Sequence, residues 1–286
     1  MHGTQDIWQR VIPEMACEHP FLMHSLLACS ALHLAHQFPS DMNYLVRGHS
    51  HQEMAMPPFR HAIEHVTESS CHSILAFCHL LVVNSFAANN TDERLLLVNP
   101  SSSPDPDMLC SWLYFVRNIC VLVCDLWDCI EAGPLGPLVG CWETDVPEHD
   151  ATDSAVARHL LDFVSTCCTG ADEDGDDTAA ACREAARRLG SAIEAASLQR
   201  MGDFNAWDVV RVWPLQISPA FIQLLGREHP MALFILAHYS LLLDRADPRW
   251  FLENRAKTLF NNVIDRLSPA WQSHLQTSFE AIKELG

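Results

Sequence analysis

The sequence predicts an all-α protein, a multi-helix bundle or orthogonal helical array. Apolar residues recur at helical spacing along most of the chain. Prolines and polar breaks divide that pattern into segments of helix length. Alternating Val/Ile/Thr strand patterns separated by Asn-Gly or Asp-Gly turns are missing throughout.

From Ile7 to Phe38, the large residues Phe21, Leu22, Leu26, Leu27, Leu32 and Leu34 sit among small Ala and Ser that permit close helix packing. Pro13 and Pro20 suit helix starts, and Pro39-Ser40-Asp41 punctuates the run. Tyr44 to Ser69 reads as a second helix that Pro57-Pro58 should break or kink. Cys71 to Ala88 is almost uncharged and reads as a central helix, ended by Asn89-Asn90-Thr91-Asp92. A loop over Asn99 to Asp107 precedes another apolar helix, Leu109 to Ile130. Gly133, Pro134, Gly136, Pro137 and Gly140 mark a break toward position 150, and the acidic run Ala171 to Asp177 reads as a solvated loop between two helical patterns. Further helix signals cover Ser218 to Leu225, Pro230 to Leu243 and Trp250 to Leu267. We take residues 1–286 as a single helical domain with loops near 99–107, 133–150 and 170–178.

With 286 residues, 49% of them hydrophobic, the chain can bury a proper core. Its formal net charge of −18 repels phosphate backbones and anionic lipid surfaces, which argues against direct nucleic-acid binding. The 16 histidines make that charge pH-dependent, because an unperturbed imidazole titrates near ~6.5. Most of the twelve cysteines lie in apolar stretches and read as reduced core thiols. Residues 1–6 lack a signal-peptide pattern, and no stretch reaches the ~20 apolar residues of a membrane span. A cytoplasmic or nuclear protein is the expectation.

Four blocks carry a family resemblance. Ile7-Trp8-Gln9, Ile12-Pro13 and Phe21 to Ala35 form the first; His51, Ala55, Phe59-Arg60 and Ile63 the second. Ser111-Trp112-Leu113 with Val116-Arg117 is the third, and Ile235 to Tyr239 with Leu241-Leu242-Leu243 and Trp250-Phe251-Leu252 closes the series. In this order they resemble the C-terminal ligand-binding and activation domain of fungal sterol-uptake-control transcription factors of the zinc-binuclear-cluster type. The resemblance implies helices enclosing an apolar cavity for a hydrophobic ligand. The chain departs from the family pattern where Asn118 and Asn254-Arg255 stand at positions expected to hold glycine. It also holds no run of six closely spaced cysteines in a basic segment, so a sensor without a DNA-reading head is expected.

Among chemical motifs, His61-Ala-Ile-Glu64-His65 matches the inverted zincin pattern, in which two histidines at i and i+4 bind zinc. A histidine-rich polar helix face explains it as well. His24, His33 and His36 read either as a metal or acid–base set or as hydrogen-bonded core residues. Cys120, Cys124 and Cys129 share the 109–130 segment with Val and Leu and read as small buried hydrophobes. No GxSxG, phosphate-loop or dinucleotide fingerprint is present, and no cofactor or metal is expected.

Two functional readings follow. In the first, the chain binds a hydrophobic sterol-like or isoprenoid molecule as a regulator and is compatible with a homodimer. In the alternative, the same pocket serves a cofactor-free cyclase or isomerase of the Diels–Alder type acting on a terpenoid or polyketide polyene. The expected cavity is bordered by Leu26, Phe77, Phe115, Phe221 and Ile235, with His33, His238 and Tyr239 as polar or catalytic groups.

Overall fold

The computed structural model describes residues 4–88, 113, 126–139, 154–167, 173–198, 206–246 and 249–285. They are all-α: no strand occurs among the described residues. The chain forms two compact units, Met1–Asp92 with Ser111–Asp145 and Glu93–Cys110 with Val146–Gly286.

In the first unit a π-helical segment, Ile7–Val11, runs into α1 (Ile12–Ala16), followed by α2 (Pro20–Gln37), α3 (Met42–Glu64), α4 (Cys71–Ala87), α5 (Trp127–Ala132) and α6 (Gly136–Val139). Proline enters α1 and α2 in the first turn, where its missing N–H costs nothing. Asp41 caps α3 by accepting from the Asn43 amide at 3.1 Å. Helix α2 packs against both α3 and α4. Phe59 stacks on Phe77 at 4.0 Å between ring centroids, and Phe21 meets Phe77 edge-on at 5.6 Å. Within this packing the Asn84 amide donates to the Ser25 carbonyl at 3.1 Å.

The second unit holds α7 (Ala155–Cys167), α8 (Glu173–Leu198), α9 (Ala206–Arg211), α10 (Pro219–Gly226), α11 (Pro230–Arg245), α12 (Arg255–Ile264) and α13 (Pro269–Leu285). Every residue of α11 from Met231 to Ser240 is buried, the signature of a helix enclosed on all sides. It packs against α8, α10, α12 and α13, and α7 lies along α8. Phe163 of α7 stacks on Phe234 of α11 at 4.1 Å. Trp213, fully buried beyond α9, donates its indole N–H to the Ala185 carbonyl of α8 at 2.9 Å and lies 5.1 Å from the Tyr239 ring.

Several boundaries differ from the sequence reading. Helix α3 continues through Pro57 and Pro58 and ends at Glu64, five residues before the expected Ser69. The acidic run is no loop from Glu173 onward: it begins α8, because negative charge is favoured at the positive end of the helix dipole. Within the 109–130 segment Leu126 is non-helical and α5 starts at Trp127; Cys120 and Cys124 lie outside the described residues. The predicted 250–267 helix starts only at Arg255, after a turn, and α13 had no expectation at all.

Candidate binding groove

Helices α11, α12 and α13 leave an open groove of about 680 Å³ between them, a size suited to a small molecule. Its residues follow helical spacing. Ser240, Leu241 and Asp244 come from α11; Lys257, Phe260 and Ile264 from α12; Gln272, Gln276, Phe279, Glu280 and Lys283 from α13. Leu241, Phe260, Ile264 and Phe279 are half-buried and form the apolar lining, whereas Asp244, Lys257, Glu280 and Lys283 are exposed. Phe260 and Phe279 meet edge to face at 4.7 Å across the α12–α13 junction. Gln272 fixes that junction by donating to the Ile264 and Leu267 carbonyls at 3.0 and 2.9 Å. Ile264 closes α12, whose last carbonyls lack intrahelical partners.

Behind Phe279 lies a buried polar chain. The His238 ring is 4.7 Å from the Phe279 ring, its Nδ1 is 2.8 Å from the Phe234 carbonyl, and its Nε2 is 2.9 Å from the Ser278 hydroxyl. Burial pushes the His238 imidazole down to about 3, so it is neutral at physiological pH. Its tautomer follows from the partners: a carbonyl only accepts, so Nδ1 carries the proton and Nε2 accepts from Ser278. The Ser278 oxygen then accepts from Nε2 of His159, also at 2.9 Å. Serine, histidine and an orienting carbonyl form a nucleophile-like array, but Ser278 is only 3% exposed and its hydroxyl is engaged on both sides.

Of the residues expected around a cavity, Leu26, His33 and Phe77 lie in the first unit; Phe221, Ile235, His238 and Tyr239 lie in the second; Phe115 falls outside the described residues. None of them lines the groove. His33 is exposed on α2 with its Nε2 3.2 Å from the Gln37 amide. Tyr239 is fully buried and donates to the Val209 carbonyl at 3.0 Å, and burial drives its phenol pKa upward. Phe221 is buried edge-on to Trp213 at 6.0 Å, and Ile235 is fully buried in α11.

The histidine motifs separate as well. His65 is the non-helical C-cap of α3, and its ring stands edge-on 6.5 Å from that of His61, which sits 3.6 Å from Glu64 on an exposed surface. His24 meets His51 of α3 with 3.0 Å between the Nδ1 atoms, whereas His33 and His36 are exposed. What the sequence reading missed is α13. Its signal was present in Trp271, Leu275, Ser278, Phe279 and Ile282, a row at helical spacing of which Phe279 reaches the groove.

The fungal specific transcription factor domain family matches residues 1–103. Sterol uptake control protein 2 of Saccharomyces cerevisiae is 25% identical, and its namesake in Candida albicans is 28% identical, each over 96% of this chain. Residues 1–103 carry the match to that family, and the chain as a whole is similar to sterol uptake control proteins. The resemblance read from its four sequence blocks therefore holds. A Zn(2)-C6 fungal-type transcription factor of Gibberella zeae is 19% identical over 96% of the chain. The domain spans 29% and 38% of the two yeast proteins and 56% of the third. No described helix is long and apolar enough to cross a membrane.

Proposed function

We propose that the domain is a ligand-responsive regulatory module that binds a hydrophobic sterol-like or isoprenoid molecule in the α11–α13 groove. The observation that carries this reading is the paired half-buried rings of Phe260 and Phe279, flanked by Leu241 and Ile264 and rimmed by Lys257, Lys283, Asp244 and Glu280. Partly exposed apolar side chains gain from covering by an apolar ligand, and the charged rim offers partners for its polar end. Likeness over 96% of the chain to proteins named for sterol uptake control fits that ligand class. The module works in the nucleus or cytoplasm through regulatory protein contacts and makes no direct contact with nucleic acid. A second copy of the chain is one such partner, in keeping with exposed Leu27, Leu34, Phe38, Met42 and Val46 on α2 and α3 and in the turn between them.

Equilibrium binding of a fluorescent sterol to the purified chain tests the reading. Saturable binding is expected, and Phe260→Trp, which fills the groove, should weaken it at least about tenfold, the equivalent of roughly 1.4 kcal/mol. Binding unchanged by Phe260→Trp, or none by a folded chain, rejects the site.

A further inference from the structure

Residues Cys71, His72 and Cys129 of the first unit bring three metal-type ligand atoms within 4.8 Å of one another. Cys71 and His72 open α4 and Cys129 lies on α5, so the cluster joins two helices 57 positions apart in sequence. Both sulfurs are free thiols, and Cys71 donates to the Glu68 carbonyl at 3.2 Å. The His72 Nδ1 is buried without a hydrogen-bond partner. Such atoms are rare in native interiors, because a buried polar nitrogen that has lost water normally recovers a partner. Gly133 makes room for the ring. A Cβ there would stand 2.3 Å from Cε1 and 2.4 Å from Nε2 of His72, so only glycine admits the imidazole in this place.

We propose that Cys71, His72 and Cys129 bind one zinc ion. Two thiolates and a neutral imidazole balance the dication's charge, which suits a partly buried site, and thiolate with imidazole is the donor set zinc favours. Atoms ~2.0–2.3 Å from a common tetrahedral ion stand roughly 3.4–3.8 Å apart, a contraction on the order of 1 Å that side-chain rotation supplies. Binding displaces both thiol protons into solvent while the imidazole contributes a lone pair, and no electron is transferred. Three protein ligands leave the fourth position for water or an external donor. The ion ties α4 to α5 and is independent of the groove in the second unit.

The test uses the full chain, reduced without thiols and stripped by chelation. Titration with Co²⁺ should produce a thiolate-to-metal charge-transfer band at one ion per chain. Zn²⁺ should then bleach that band, and direct zinc addition should release two protons per ion. Cys129→Ser should abolish the band while circular dichroism stays unchanged. Gly133→Ala retains all three ligands but displaces the His72 ring, and should weaken zinc about 10–100-fold, as loss of ligand support does. Cys182→Ser, in the second unit, should leave the titration unaltered. The proposal fails if no thiolate band forms. It fails equally if the band survives Cys129→Ser, if Gly133→Ala binds zinc as the parent does, or if Cys71 and Cys129 pair as a disulfide that zinc does not prevent.

Discussion

Asn254 stands where the family pattern led us to expect glycine, and its φ of 61° and ψ of 5° place it in the left-handed region just before α12. Asparagine reaches that region more easily than other side chains, so the departure preserves the backbone that glycine would serve. Asn254→Gly should therefore keep the urea midpoint. Asn254→Val should lower stability by about 1–2 kcal/mol, the cost of a β-branched residue in this conformation. Equal midpoints for the two variants would show that the turn relaxes to negative φ. The same scale explains the fate of Tyr239 and His238. The sequence marks them as polar groups on an apolar helix but carries no sign that the Val209 carbonyl and Ser278 hydroxyl wait for them. A polar side chain facing a cavity and one satisfied in a core share one sequence pattern, and only the tertiary partner separates them.

At the scale of elements, the α7–α8 contact brings two backbones close together at Gly190 and Ala157. A Cβ on Gly190 would lie 2.2 Å from Cα and 2.4 Å from the amide nitrogen of Ala157, and backbone atoms cannot swing aside. On an exposed helix, Gly→Ala gains up to about 1 kcal/mol. Here Gly190→Ala forces the helices apart and should cost about 1–3 kcal/mol or more. Ala157→Gly in the same background should restore little, since the clash is with Cα itself. Full rescue in thermal unfolding would refute the backbone contact. Long elements such as α2, α4 and α11 were legible because each is a long, nearly uncharged apolar run bounded by proline or polar breaks. The α3 end, the late start of α12 and the acidic start of α8 were not legible, because tertiary packing and the helix dipole override local composition. The groove was hidden for a related reason: its lining alternates Phe and Ile with Lys, Gln and Glu, and sequence reading sought an all-apolar wall.

For the whole molecule, acid is the informative variable. The net charge of −18 shrinks as the 16 histidines protonate, which relieves self-repulsion, yet buried imidazoles act in the opposite direction. His79 and His238 are held neutral chiefly by burial, His238 down to about 3, with His159 across Ser278 adding a smaller downward push. In the unfolded chain both titrate near the ordinary value of ~6.5. Their contribution to stability is therefore complete above that pH and is lost progressively as pH falls toward 3, where folded His238 accepts its proton. Well inside this window His238 removes about 1.4 kcal/mol per pH unit, since the unfolded state then binds nearly one more proton than the folded one. Replacing His238 by glutamine removes one proton from the balance. Its folding free energy, from urea titrations at pH 7.5, 6.0 and 5.0, should start below that of the parent, because the Phe234 and Ser278 contacts are disturbed. The gap should then narrow as the medium becomes acidic, by about 1.2 kcal/mol between pH 6 and 5. Parallel curves for parent and variant would mean that His238 titrates alike in folded and unfolded chains, and the buried-neutral assignment of His238 would fall with it.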